Sequence, residues 1–384
     1  MVIIIAIALG LWAGVFASAF VVGMMQEKVE SIIRLEMSDF QIHHAEYRDE
    51  MDVKMVIENS QQIADDIRKK DGVIGVSERV LANAMINSAS KNGGVQVVGI
   101  DPAKEAVVSE IDEYLDTGAY FEGMKRNPIY LSKRVAEEYN LRIRSKVVLT
   151  VQDVNREISA ASFRVVGIFN TNNGPFDEGR VYVRHEDLES LVGTHEAHQI
   201  ATLLDNHDSA ETVATHLAAQ HPGLEVLPWL DLATGMRLII EMTDTYTYYI
   251  VGIIMLALLF SIVNTMLMAV LERVRELGML MAVGMNKIRV FAMILLETVM
   301  LALIGGPAGL LLSYLSISYF NHAGIHLATD VYEDLGFAST IYPDLDAGSY
   351  LGVSIMVVSM TILAAIYPAM KALKLKPAEA VRKI

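Results

Sequence analysis

Residues 246–285 read YTYYIVGIIMLALLFSIVNTMLMAVLERVRELGMLMAVGM, and this stretch decides the fold. Its first part, 246–271, contains no acidic or basic residue and is longer than the roughly 20 residues that a helix needs to cross a bilayer. Charged residues then follow at four of five positions: Glu272, Arg273, Arg275 and Glu276. The sequence therefore predicts a transmembrane helix over 246–271 that continues as a charged segment over 272–289.

This charged segment is also amphipathic. Apolar residues recur at steps of four, three and four, which places them on one face of a helix: Val270, Val274, Leu277 and Met281. The charges lie on the other side, where residues three apart, such as Arg273 and Glu276, can pair. Two interpretations follow. The segment is either a helix at the lipid surface or a docking element for a cytoplasmic partner, with Gly278 and Gly284 permitting close approach.

The same segment resembles the coupling segment of FtsX-like ABC transporter permeases, the superfamily of MacB, LolC and LolE. The family pattern is close to N-x5-V-x-E-R-x-R-E-I-G-x-L-x-A-x-G. The matching residues are Asn264, Val270, Glu272, Arg273, Arg275, Glu276, Gly278, Leu280, Ala282 and Gly284, while Leu277 replaces the usual isoleucine. The resemblance implies an ATPase-coupling site formed by Glu272, Arg273, Arg275, Glu276, Gly278, Ala282 and Gly284.

The composition agrees with a membrane protein. Hydrophobic residues make up 53% of the 384 residues, and the mean hydropathy is +0.36. The net charge of −15 argues against a nucleic-acid partner, which requires a basic face. The chain has no cysteine, which excludes disulfides, cysteine nucleophiles and thiolate metal sites.

The predicted fold is a membrane protein with four transmembrane α-helices and a large α+β extracytoplasmic domain inserted between the first and the second. The predicted segments are helices over 1–25, 246–271, 290–320 and 348–370, the domain over 26–245, the coupling segment over 272–289, a short extracytoplasmic loop over 321–347 and a tail over 371–384. The first apolar run is long for a cleaved signal peptide, so an uncleaved first helix is favoured.

The distribution of basic residues predicts the topology. Residues 271–289 carry four Lys and Arg, the tail carries five, and the 321–347 loop carries none. Because basic residues favour cytoplasmic loops, both termini are predicted to be cytoplasmic in a multi-pass protein of the bacterial inner membrane.

Within the inserted domain, the apolar patterns predict individual elements. Residues 27–36 are predicted to continue the first helix as a stalk, Ser132 to cap a helix, and 170–179 to form a loop. Strands are predicted at 95–100, 129–131, 146–151, 163–169, 180–183 and 225–227. Helices are predicted at 60–70, 133–139 and 208–220. These stretches and the domain's length resemble the extracytoplasmic domain of MacB and LolC.

No catalytic residue is predicted. The chain lacks GxxxxGK[ST], GxSxG and HExxH, so it has neither a phosphate-binding loop nor a recognisable hydrolase motif. Four histidine pairs raise the question of a metal site: His43 with His44, His195 with His198, His216 with His221, and His322 with His326. Solvated histidines on an acidic external surface are favoured over a metal site.

Glu297 is the only carboxylate inside a predicted transmembrane helix. It lies about 12 Å along a helix from Arg289. Ionisable residues within a membrane are costly and are functional candidates by default. Structural pairing with a basic group and a gating role are both open for Glu297.

The resemblance implies a non-enzymatic permease subunit that transmits ATP-driven motion to the extracytoplasmic domain. It binds no cofactor itself, since ATP and magnesium would sit in a separate cytoplasmic ABC ATPase. Further expected partners are a second permease subunit, in a homodimer or heterodimer, membrane lipids, and a periplasmic protein or lipoprotein. Lipoprotein release or expulsion of hydrophobic substrates is the leading role. The alternatives are an FtsX-like mechanotransmitter for a cell-wall hydrolase, or a membrane-anchored sensor without an ATPase.

Overall fold

The computed structural model describes residues 1–123, 126–327 and 340–373. The chain divides into two compact units. Within the described residues, the helical unit comprises 1–26, 240–326 and 340–373, and the inserted domain comprises 27–123, 126–239 and Leu327. Residues 328–339 of the acidic 321–347 loop and residues 374–384 of the predicted tail lie outside the described residues.

The chain begins with a long helix, α1 (Val2–Ser31), which continues as a π-helical segment, Ile32–Met37. The predicted stalk is therefore helical. The strands of the inserted domain are β1 (Phe40–His44), β2 (Val73–Asn87), β3 (Asn92–Ile100), β4 (Leu115–Gly118), β5 (Pro128–Ser132), β6 (Lys146–Gln152), β7 (Ile158–Phe169), β8 (Arg180–Arg184), β9 (Gln199–Leu204) and β10 (Leu224–Pro228). Its helices are α2 (Tyr47–Glu50), α3 (Ser60–Arg68), α4 (Pro102–Ser109), α5 (Lys133–Glu138), α6 (Gly174–Asp177), α7 (His185–Val192), α8 (Ala210–Gln220) and α9 (Trp229–Leu232).

Strand β2 organises the inserted domain because it belongs to two substructures. The strand order is β10-β1-β9-β2-β3-β8-β5-β7-β4, and β6 pairs with both β2 and β7. Strands β2, β3, β8, β5, β7 and β6 therefore close into a barrel, while β9, β1 and β10 extend from β2 as an open sheet. The first half of β2 pairs with β9, with Val76 opposite Thr202. The second half pairs with β6, with Ala84 opposite Val151.

Each substructure has its own apolar core. The barrel interior is filled by fully buried aliphatic and aromatic side chains, among them Leu131, Leu149 and Phe163. Helices α3 and α8 pack a second core against the open sheet around Phe40 and Ile42. This amount of burial gives the inserted domain a complete core of its own.

Most of the elements predicted in this domain are confirmed. The Ser132 side chain accepts a hydrogen bond from the Val135 amide and caps α5, as predicted. The prediction of a loop over 170–179 was wrong in one part. Asn173 accepts a hydrogen bond from the Phe176 amide and begins the short helix α6. The sequence analysis did not predict β1, β2, β4, β9, α2, α4, α7 or α9.

The helical unit continues with α10 (Thr234–Glu272), α11 (Val274–Ala282), α12 (Lys287–Ala323), a pair of two-residue strands, β11 (Ile325–His326) and β12 (Thr340–Ile341), and α13 (Ala347–Leu373). Among the described residues, four helices are long and apolar enough to cross a membrane: α1 with its extension, α10, α12 and α13. Between 28% and 33% of the residues in their most apolar windows are buried. Exposed apolar surface of this extent is typical of helices that contact lipid or another chain.

Helices α1 and α12 approach each other closely at two glycines. A Cβ at Gly305 would lie 2.9 Å from the carbonyl oxygen of Ile4, and a Cβ at Gly309 would lie 2.7 Å from that of Ala8. Any larger residue would force the two backbones apart. Small residues at these positions thus permit the contact, as is common between membrane helices.

Candidate functional site

The segment between α10 and α12 folds as a separate short helix with defined ends. Helix α10 ends at Glu272, Arg273 departs from helical geometry with φ −99° and ψ 16°, and α11 begins at Val274. At the other end, the Gly284 amide bonds to the Met281 carbonyl and the Met285 amide bonds to the Leu280 carbonyl. This is a Schellman motif, which requires a left-handed residue. Gly284 supplies it with φ +101°.

The predicted apolar face of α11 is buried. Val270 and Leu277 belong to the same cluster as Val290 and Ile294 of α12, and Met281 packs against it. The helical periodicity predicted from the sequence is therefore confirmed. The apolar residues that it placed on one face are those that pack against the rest of the helical unit. The orientation of α11 is fixed by the rest of this chain.

The opposite face of α11 is exposed and mixes charged with apolar side chains. The exposed members of the predicted coupling site are Glu272, Arg273, Arg275, Glu276, Ala282 and Gly284. Met279 is 58% exposed and Val283 is 88% exposed. Gly278 differs from these residues because it is buried. Met279 and Val283 do not belong to the family pattern, and only the structure reveals their exposure.

Glu297 forms an ion pair with Arg273. The Nη1 atom of Arg273 donates to Oε1 of Glu297 at 2.8 Å, so the pair links the α10–α11 junction to α12. The i, i+3 spacing had instead suggested Glu276 as the partner of Arg273. Pairing was one of the two roles predicted for Glu297.

A cavity of about 240 Å³ lies beside this pair. Its lining is mostly apolar, with Met266, Leu277 and Ile294 among the lining residues, and Arg273 and Glu297 also line it. The side chains of α10, α11 and α12 therefore leave a gap beside the pair.

Two histidines of the inserted domain correct the prediction of a solvated surface. His43 and His198 are buried. Nδ1 of His43 lies 3.2 Å from the His198 carbonyl oxygen, and its ring stacks on Tyr47. Nε2 of His198 lies 2.9 Å from the Val53 carbonyl oxygen. Burial, the largest effect, lowers the pKa of His43 to about 4 and also lowers the pKa of His198.

Among the described ranges 1–123, 126–327 and 340–373, no group of three or more metal-ligating side chains is arranged to hold an ion. The inserted domain also contains a cavity of about 440 Å³. Its lining includes the buried side chains of Gln41, Arg79 and Gln199. Sequence reasoning missed this cavity because its residues come from strands β1, β2 and β9, which are far apart in the chain.

A buried ion pair, Arg79 with Glu105, joins β2 to α4 next to this cavity. Nη2 of Arg79 donates to Oε1 of Glu105 at 2.6 Å, and Ser77 donates to the same carboxylate at 2.7 Å. Burial by itself raises the pKa of the Glu105 carboxyl, but the Arg79 guanidinium outweighs burial and holds that pKa below its usual range. The pair is a fixed part of the domain.

Known protein families match both the helical unit and the inserted domain. A family model described as "FtsX-like permease C-terminal" matches residues 248–377, and one described as "MacB-like periplasmic core domain" matches residues 1–220, more than half of the chain. The chain belongs to the FtsX-like ABC transporter permeases of the MacB and LolC type. The resemblance of residues 264–285 to this family is confirmed.

Individual relatives of this FtsX-like permease are distant. The lipoprotein-releasing system transmembrane protein LolC of Neisseria meningitidis serogroup B is 22% identical over 330 residues, which covers 82% of this chain and 79% of LolC. The macrolide export ATP-binding/permease protein MacB of Neisseria gonorrhoeae is 26% identical over 272 residues, 64% of this chain and 40% of MacB. The crystal structure of the periplasmic region of MacB from Actinobacillus actinomycetemcomitans is 11% identical, covers 55% of this chain and 98% of that chain, and has a TM-score of 0.38.

Proposed function

We propose that this FtsX-like permease receives ATP-driven movement from a cytoplasmic ABC ATPase at the exposed face of α11. The movement passes to the inserted domain on the extracytoplasmic side, where it releases lipoproteins or expels hydrophobic substrates. A second permease subunit completes the transporter. In this arrangement ATP and magnesium bind to the ATPase, since the 384 residues contain no phosphate-binding loop.

The observation that carries the proposal is the construction of α11. Its buried face and its glycine cap fix its orientation, and its other face presents charged side chains around the exposed Met279 and Val283. Exposed apolar side chains bordered by charges are typical of protein interfaces. The LolC relative, which covers most of the chain, favours lipoprotein release over export. An FtsX-like mechanotransmitter would use the same contact at α11.

The test is to replace Met279 and Val283 together by Asp and to purify the permease with its ATPase. Burying two new carboxylates at a docking contact should cost about 2 kcal/mol or more of association. We expect the recovery of the ATPase to fall accordingly, while the inserted domain stays folded. The variant Ile158→Asp is a matched control, because Ile158 is an equally exposed aliphatic residue, 82% exposed, in β7 of the inserted domain.

Normal recovery of the ATPase by the double variant, with normal ATP hydrolysis, would contradict docking at α11. It would identify α11 as a helix at the lipid surface. Loss of the ATPase in the Ile158→Asp control would show that the assay reports general destabilisation.

A further inference from the structure

We infer that Arg273 and Glu297 are positioning residues, whose ion pair makes α11 and α12 move as one body. The inference rests on the proposed function, in which α11 receives the movement of an ATPase. The pair is a polar link between the helix that receives the movement and a helix that spans the bilayer. Breaking the pair leaves docking intact and uncouples docking from the response.

The position of Arg273 in the chain supports a role of this kind. Arg273 is the single residue between α10 and α11 and occupies the N-cap position of α11. N-cap positions favour Ser, Thr, Asp and Asn, because their side chains accept a hydrogen bond from the helix amides. A guanidinium has no acceptor, and the Arg273 side chain makes no capping bond. The contact with Glu297 accounts for an arginine here.

The surroundings of the Arg273–Glu297 pair indicate that it helps to connect α11 with α12. The neighbouring cavity of about 240 Å³ is lined by side chains of α11 and of α12, so the two helices do not close against each other at this level. An ion pair of 2.8 Å gives a directional link across that gap. Glu297 lies ten residues after Lys287, the first residue of α12, which is about 15 Å along the helix axis. A carboxylate at this depth is costly without a partner.

Helix α12 has a route onward. Its Gly305 and Gly309 bring its backbone into contact with α1, and α1 runs without interruption from Val2 to Ser31. The π-helical extension of α1 then leads into β1 of the inserted domain. A displacement of α12 would therefore displace α1, the helix that leads into the inserted domain.

The first experiment uses the permease alone, in nanodiscs. Because the chain has no cysteine, Met279→Cys and Leu303→Cys place two spin labels specifically, one on α11 and one on α12. We expect a narrow distribution of distances between the labels in the parent protein and a broad one after Glu297→Ala. Exchanging the charges, with Arg273→Glu and Glu297→Arg together, should restore the narrow distribution. Arg289→Ala is the matched control, since it removes an exposed cation from the start of α12.

The second experiment adds the ATPase and omits the labels. Glu297→Ala should retain the ATPase at the parent level but lower the stimulation of ATP hydrolysis by substrate about tenfold, within the range typical of coupling between sites. Glu297→Asp keeps a carboxylate on α12 and leaves the exposed face of α11 unchanged, so it should preserve most of that stimulation, which a merely structural defect would not allow.

Equal distance distributions in the parent and Glu297→Ala proteins, or a charge exchange that leaves the distribution broad, would overturn the inference. Failure of the proposed function has a different signature. The parent permease would then show the narrow distribution but retain no ATPase.

Discussion

The inserted domain and the helical unit use their apolar residues in opposite ways. In the inserted domain, the large apolar side chains of the strands point into closed cores, and Tyr130, Phe163 and Phe169 are fully buried. In the helical unit, about two thirds or more of the residues in the most apolar window of each long helix are not buried. The inserted domain even buries one ion pair, that of Arg79 with Glu105. The helical unit leaves its ion pair of Arg273 with Glu297 half exposed.

This difference indicates where each unit obtains its stability. The inserted domain depends on contacts within the chain, so single substitutions in it should have large effects. The long helices of the helical unit bury only 28–33% of the residues in their most apolar windows, so many of the apolar side chains of this unit should be replaceable in the isolated protein. The two tryptophans report on the units separately, since Trp12 belongs to α1 and Trp229 to the inserted domain.

The largest effect is expected for Glu105→Ala. The substitution leaves the Arg79 guanidinium buried without its carboxylate, which typically costs about 3–5 kcal/mol. Denaturant unfolding, followed by Trp229 fluorescence in a Trp12→Phe background, should show this loss. The matched control is Glu138→Ala, because Glu138 pairs with Lys91 at 2.7 Å on the surface. Exposed pairs contribute roughly 0–1 kcal/mol.

Similar losses of unfolding free energy in Glu105→Ala and Glu138→Ala would contradict the contrast between the buried and the exposed ion pair. They would mean that burial of charge contributes nothing special to the inserted domain.

A pair of leucines should give the next largest difference. Leu131 of β5 is fully buried in the barrel, and Leu303 of α12 is 60% exposed. Leu131→Ala should cost about 2–5 kcal/mol, as is usual for a truncated core leucine. Leu303→Ala should change the stability of the helical unit, followed through Trp12, by less than about 0.5 kcal/mol. A large loss for Leu303→Ala in detergent would show that α12 makes an intramolecular contact at this position.

A smaller effect, limited to acid, is expected from His43. Burial lowers its pKa to about 4 from an unfolded value near 6.5, so the unfolded state binds a proton first as the pH falls. Stability is therefore fully present above pH 6.5 and is lost between pH 6.5 and pH 4, by roughly 3 kcal/mol. His43→Phe should reduce this pH dependence and leave the part that comes from the lowered pKa of His198, whereas His44→Phe, at the next position of β1, should retain all of it. Urea unfolding at a series of pH values measures both.

The sequence predicted the long apolar helices of the helical unit better than the strands of the inserted domain. An uninterrupted apolar run is a local signal, and so is the cap at Ser132. Strand β2 gives no such signal, because Glu78 and Arg79 interrupt its apolar pattern. The burial of Arg79 depends on Glu105, which lies 26 residues later and on another element. Local periodicity cannot reveal a partner of this kind.

The candidate site shows the same limit. The apolar face of α11 and its terminal glycine could be predicted, since both follow from spacing within a few residues. The partner of Arg273 lies 24 residues away on α12, so spacing along one helix pointed to Glu276 instead. The exposure of Met279 and Val283 also required the structure, because methionine and valine are as common in cores as at interfaces.

The place of β1 in the sheet has a consequence for synthesis. This strand, at residues 40–44, pairs only with β9 at 199–204 and β10 at 224–228 among the described residues. A nascent chain thus holds β1 without a neighbour until nearly the whole inserted domain has emerged. Such distant pairing slows folding and leaves unpaired strand edges open to aggregation. A truncated product that stops before residue 199 would retain the first apolar helix but not a finished sheet, and quality-control proteases should remove it.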